Sequence, residues 1–385
     1  MTDASTPVAS LPLMAGCPKM MEIGPCGGVG VHDDCEIDRA ARCVFVDQSP
    51  PSIPERSAPR IPPLTGRLAT MLSLGTFAVV GEVNGADTAD VHAYVDAARS
   101  LSTVVDVISI TDNSGANVRM GNVAVSAHLS AAGIETMTTF ACRDRNRMAL
   151  QGDLLGVASL GVRNVLCVTG NHVKVGDSPD AKPVFDLDST RLIAAAAQLR
   201  DEGVFLNGRA LDARPCYLIG GAAHPFAPPY QDRAAQVLRK VAAGADFLIT
   251  QHIFDLPRWR AFIAEVNARR ADARPFHLLG GVAVLPNEEV ARRVNAGLRG
   301  FTIPESVLAR LKHARDPQSE GIAIAAETIA ELDATDGVSG TLIAPVTMRT
   351  NALAASQEQA EIISAVLSAA GITRPTQEEV GSWAS

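Results

Sequence analysis

Four cysteines near the start of the chain carry the clearest potential for chemistry. Cys17, Cys26, Cys35 and Cys43 fall within 27 residues, spaced C-x8-C-x8-C-x7-C. Four thiolates so close in sequence suit one tetrahedral metal site or one cubane cluster. Neither the C-x2-C of zinc ribbons nor the C-x2-C-x2-C of ferredoxins is present, so zinc and a [4Fe–4S] cluster both remain open. The stretch Gly24-Pro25-Cys26-Gly27-Gly28 would let backbone N–H groups approach sulfur, which suits an iron–sulfur cluster. His32 lies nearby and reads as a solvated loop side chain.

A second set of polar residues follows apolar runs: Glu82, Asp112-Asn113, Cys142-Arg143, Gly170-Asn171, His224 and Gln251. A carboxyl group placed after FAVVG, as Glu82 is, has two readings. It is a solvated loop carboxylate, or it is half-buried among apolar groups. Burial disfavours the charged form and lets a carboxyl hold a proton near neutrality, as a general acid must.

The elements that would position these residues alternate along the chain. Val-, Ile- and Leu-rich runs at 77–83, 105–111, 135–142, 164–169, 216–222, 246–252, 277–285 and 338–344 read as strands. Helical patterns lie between them at 89–101, 121–132, 146–160, 189–202, 231–243, 257–269 and 287–296. Further helix is expected in 305–333 and at about 355–370. Gly133, Gly161, Gly203 and Gly244 stand where helix C-caps are needed. Eight such units predict an α/β fold, a (β/α)8 TIM barrel, over 68–372. No G-x-G-x-x-G follows the first strand, which argues against an open dinucleotide-binding sheet. In a barrel the polar residues above all sit at the strand C-termini, where such folds do their chemistry.

Outside the barrel, residues 1–16 read as a disordered N-terminus and 17–47 as a small Cys-rich metal-binding module. Residues 48–67 form a Pro-rich linker and 373–385 a C-terminal tail. Between Gln48 and Leu64 the proline density precludes regular helix and central strand.

The chain has 385 residues, 47% hydrophobic and 20% charged, and a formal net charge of −8. That charge leaves no basic surplus for a nucleic-acid partner. Aromatic content of 4% also argues against base-stacking platforms. No apolar run reaches the ~18 residues that would span a bilayer, so no membrane partner is expected. Seven cysteines without a secretory signal read as thiols or metal ligands of a cytoplasmic protein.

The wording of several segments resembles one family. Ala141–Asn171, ACRDRNRMALQGDLLGVASLGVRNVLCVTGN, resembles a segment of methylenetetrahydrofolate reductases, as does GGAAHPFAPPYQDRAAQVLRKVAAGADFLITQHIFD at 220–255. Residues 297–311 resemble the family's "G..IP..vl.rl". The module resembles the GPCGG Cys-rich domain that accompanies some of these reductases, although that domain is usually C-terminal.

The resemblance implies interconversion of 5,10-methylene- and 5-methyltetrahydrofolate by hydride transfer through FAD. Glu82 would be catalytic, protonating the bridged folate so that its ring opens to an iminium. Asp112, Asn113, Thr139, Arg143, Asn171, His224 and Lys240 fall at cofactor-binding positions. Gln231, Gln251 and Phe254 fall at substrate-binding ones; a neutral amide suits a pterin edge, which offers donors and acceptors. NAD(P)H, a redox partner protein and a homo-oligomer are all compatible with this reading. At three positions the chain departs from the pattern: Thr139 replaces a histidine, Ala141 a threonine and Asn171 an aspartate. A neutral Asn171 beside a flavin removes a charge that opposes its anionic reduced form, which favours the oxidative direction of methyl-group catabolism. The alternatives are a flavin-free folate-binding or electron-transfer subunit working with a partner, and a tetrahydrofolate-dependent methyl transferase.

Overall fold

A computed structural model describes residues 16–48, 50, 51, 53, 65–83, 87–271, 273–297, 300, 302–346 and 356–375. After helix α1 (Arg67–Ser73) the chain alternates strand and helix. It runs β1 (Ala78–Val83), α2 (His92–Ser102), β2 (Val107–Ile110), α3 (Asn122–Ala131), β3 (Thr136–Ala141) and α4 (Arg147–Ser159). Then come β4 (Asn164–Val168), α5 (Ser189–Ala197), β5 (Leu218–Ala223), α6 (Arg233–Ala243), β6 (Phe247–His252) and α7 (Leu256–Arg270). The remainder is β7 (His277–Val284), α8 (Glu288–Gly297), α9 (Glu305–His313), α10 (Pro317–Asp333), β8 (Gly340–Pro345) and α11 (Ser356–Ala369). The eight strands are all parallel and close into a barrel in sequence order, with β8 pairing back onto β1. The eight-unit (β/α)8 expectation is thus met, and each strand lies within two residues of its predicted run.

Strand periodicity sorts the side chains into two cores. Val79, Ile108, Phe140, Val165, Ile219, Leu248, Leu278 and Ile343 face out, into one large cluster with the helices. Their neighbours Ala78, Val80, Val107, Met137, Leu166, Leu218, Phe247, Leu279 and Leu342 face in, with Leu68, Met71 and Leu72 of α1. Helix α1 is therefore a plug at the N-terminal end of the barrel. Its first N–H groups, on Arg67 and Leu68, donate to the carboxylate of Glu135. Cys142 and Cys167 belong to the outward, helix-facing core and behave as small apolar residues.

Buried ions tie the N-terminal ends of the strands. The Arg200 guanidinium is fully buried and donates to Asp246, Asp201 and the carbonyl of Tyr217. Asp246 also accepts from the N–H of Ile219 and from Arg274. Removing one side of a buried pair leaves an uncompensated charge. Asp246→Ala is therefore expected to lower the unfolding free energy by about 3–5 kcal/mol, read as a fall in the denaturation midpoint; a loss under about 1 kcal/mol would show the pair to be hydrated.

Candidate functional site at the barrel mouth

The inward parity that begins with Ala78 and Val80 puts Glu82 in the topmost layer of the barrel. The same parity brings Thr139, Val168, Ala222 and Gln251 into that layer. Small residues on several strands leave room above the apolar core. Among the described residues Glu82 makes no hydrogen bond or ion pair, and burial pushes its carboxyl up to about 7. That is the half-buried acid of the sharper reading.

The N-terminal module lies directly on this mouth. Asp188, which caps α5 by accepting from the N–H of Arg191, also accepts from the N–H groups of Glu22 and Ile23. Glu22 forms an ion pair with Arg191. Lys19 and Glu36 pair at 2.5 Å, with side chains 4% and 2% exposed. Lys19 also donates to the carbonyl of Gly170, and Glu36 accepts from the N–H of His172. From the other side Arg233 donates to the carbonyls of Pro25 and Cys26, and Gln236 to that of Pro25.

Gly27 and Gly28 have a steric purpose in this arrangement. A Cβ on Gly27 would lie 2.3 Å from the His224 ring, and one on Gly28 would lie 1.8 Å from the Glu36 carboxylate. Gly27 thus permits close docking on the barrel, and Gly28 permits close packing inside the module.

Two cavities adjoin. One, of about 280 Å³, lies between module and mouth and is lined by Lys19, Gly27, Asn171, His224, Lys240 and Gln251 among others. Within it the Nδ1 of His224 and the Oε1 of Gln251 are buried without a hydrogen-bond partner. Burial together with the nearby Lys240 and Arg233 charges keeps His224 neutral. The second cavity, of about 180 Å³, is lined by all four module cysteines, with Val29, Ile37 and Phe45. Lys19, Cys26, Gly28 and Glu36 wall both.

The remaining expected residues are distributed unevenly. Both oxygens of Asp112 accept from Arg145, and one also accepts from the N–H of Ala141. Asn113 donates to Asp144, and Arg143 donates to Asp144 and to the carbonyl of Asn171. Thr139 is buried, its carbonyl accepting from Asn122. Lys240 is 2% exposed and donates to the carbonyl of Ala222, and burial lowers its ammonium to about 8. Gln231 is exposed on the short turn Tyr230–Asp232, and Phe254 packs with Ala283, Leu285 and Ile303; neither lines the mouth cavity. Sequence reasoning missed Lys19, Glu36, Asp188 and Arg233. Only the placement of Asp188, before the helical pattern of 189–202, carried a signal, as an N-cap.

The sequence pattern described as "Methylenetetrahydrofolate reductase" matches residues 86–355, and that described as "Methylene-tetrahydrofolate reductase C terminal" matches residues 6–50. The chain belongs to the methylenetetrahydrofolate reductase family. No curated protein matches it. Among solved structures it is similar to an uncharacterized protein from Clostridium thermocellum that binds two copies of 5-methyl-5,6,7,8-tetrahydrofolic acid. The TM-score is 0.53 at 13% identity, covering 79% of this chain and 98% of that one. It is also similar to EDTA monooxygenase from Chelativorans sp. BNC1, with a TM-score of 0.50 at 12% identity over 80% of this chain and 98% of that one. At such identities these likenesses show the barrel fold. No helix among the described residues is long and apolar enough to cross a membrane.

The buried contacts of Arg233 predict that it holds the module in place. Arg233→Ala leaves the carbonyls of Pro25, Cys26, Ala227 and Pro228 short of a donor. Faster amide hydrogen exchange across residues 17–47, with the β-strands unchanged, is the expected outcome; unchanged exchange in the module would show that Arg233 is not what seats it.

Proposed function

We propose that this chain binds a tetrahydrofolate at the barrel mouth and interconverts its 5,10-methylene and 5-methyl forms. The observation that carries this reading is Glu82: an unpartnered carboxyl in the top layer of a barrel of this family, with its proton affinity raised to about 7. The structural likeness to a barrel that binds 5-methyltetrahydrofolic acid supports the folate.

In the reductive direction Glu82 gives its proton to N10 of the bridged folate, and the C–N10 bond breaks to leave an N5 iminium. Hydride addition at that carbon makes the methyl group. In the oxidative direction a hydride leaves the methyl group and the Glu82 carboxylate takes the N10 proton as the ring closes. NAD(P)H and its oxidised form are hydride donor and acceptor of the required class.

Family membership makes FAD the expected carrier of that hydride. The residues at the expected flavin positions do not fit it. Asp112 and Arg143 are tied to neighbouring charges, Lys240 is buried on a carbonyl, and Gly27 of the module lies against His224. No step is therefore derived through a flavin.

Cys17, Cys26, Cys35 and Cys43 all line one cavity of about 180 Å³. They would be the ligands of a zinc ion, which supplies a structural cross-link, or of a [4Fe–4S] cluster, which supplies one-electron exchange with a redox partner. Burial pushes the Cys43 thiol up to about 11, so it binds metal only on losing a proton.

Two predictions separate these roles. Glu82→Gln keeps size and hydrogen bonding but cannot release a proton, so turnover should fall about 10²–10⁴-fold while folate affinity is retained. Because Glu82 is raised to about 7, wild-type reduction should decline above that pH, where the acid is ionised, and oxidation should rise through it. Coincident profiles in both directions, or full activity of the variant, would remove Glu82 from the mechanism. Cys26→Ser should cost bound metal while keeping the backbone carbonyl to which Arg233 donates; metal content equal to wild type would exclude Cys26 as a ligand.

A further inference from the structure

The module covers the place where the resemblance puts a flavin. Lys19 reaches the carbonyl of Gly170 at the end of β4. Gly27 lies against His224 beyond β5, closely enough that a single added methyl group would overlap the ring. Lys240, at a flavin-side position, is enclosed beneath both. A planar tricyclic ring laid over β4 and β5 would have to displace Lys19, Gly27 and Gly28 together. Moving them breaks the buried Lys19–Glu36 pair and uncovers Asp188, costs that a weak ligand does not meet.

The space that remains is small and incomplete in its hydrogen bonding. The Oε1 of Gln251 and the Nδ1 of His224 are buried without a well-formed hydrogen bond among the described residues, each having only the other's side chain close by. Buried polar atoms without partners are uncommon in folded proteins and point to a missing ligand or water. Gln251 has a barrel position in the top layer, two residues beyond the inward Ile249. A heterocycle offering N–H donors and an acceptor along one edge would satisfy both atoms; the amino-pyrimidinone edge of a pterin is such an edge.

We propose that the cysteine module takes the place of the flavin in this chain, and that folate binds without FAD in a cavity whose walls come from both module and barrel. The folate half of this proposal rests on the function proposed above; the exclusion of flavin does not. The four shared wall residues then put the cysteine-bound group one side chain away from the folate. The module is part of the binding site, held to the barrel by Asp188, Arg233 and the Gly170 carbonyl.

The test uses the full-length protein, prepared anaerobically so that any cysteine-bound group stays in place. The protein is incubated with excess FAD, freed of unbound ligand by gel filtration, and its visible flavin absorbance is read. It is then titrated calorimetrically with 5-methyltetrahydrofolate, beside Gly27→Val. The expected result is no retained flavin, measurable folate binding by the wild type, and a loss of at least about tenfold in affinity for the variant, equivalent to about 1.4 kcal/mol. One flavin retained per wild-type chain overturns the proposal, as does a folded Gly27→Val with unchanged folate affinity. Should Gly27→Val fail to fold, the wild-type flavin measurement still decides the first half. A wild type that binds neither ligand sinks the folate reading while leaving the exclusion of flavin standing.

Discussion

Asp188 joins the two parts of the molecule. Its carboxylate caps α5 through the N–H of Arg191 and at the same time accepts from the N–H groups of Glu22 and Ile23. Burial raises its pKa, and the backbone donors oppose that shift. A buried carboxylate must be matched by donors or it destabilises the fold. Two of these three donors come from a segment some 165 residues away. The barrel therefore presents a polar site that only the docked module completes. The module in turn has little apolar core of its own: Met21, Ile23, Val29 and Phe45 are its buried hydrophobics. A unit of this size folds with help from metal or from a neighbouring surface. Each part supplies what the other lacks.

The barrel is capped at both ends. Helix α1 fills the N-terminal end with Leu68, Met71 and Leu72, and the module closes the C-terminal end. Glu82 stands in the top layer of the barrel, where burial disfavours its charged form and raises its carboxyl to about 7.

Much of the barrel was legible because its information is local. Alternation in Val79–Val80 and Leu278–Leu279, helix-length amphipathic segments and C-cap glycines such as Gly203 and Gly244 each declare an element within a few residues. The cysteine spacing likewise marked a separate module, and its four thiols line one cavity. Its seat on the mouth was not legible. That contact depends on backbone groups, the N–H of Ile23 and the carbonyls of Pro25, Cys26 and Gly170, which every residue carries and no pattern distinguishes. Lys19 and Glu36 carry no sequence signal either; they pair with each other inside the module, and their contacts with the Gly170 carbonyl and the N–H of His172 give them a role at the mouth. Gln231 is the opposite case: motif likeness carries it to a substrate position, and the turn before α6 leaves it exposed.

Two of the departures from the family pattern lie where the module meets the barrel. Asn171 lines the cavity that Lys19 also lines, next to the Gly170 carbonyl on which Lys19 rests. Ala141 acts on sterics: a Cβ at Gly170 would meet the Ala141 methyl at 3.1 Å, so a larger residue at 141 would crowd the strand end that receives Lys19.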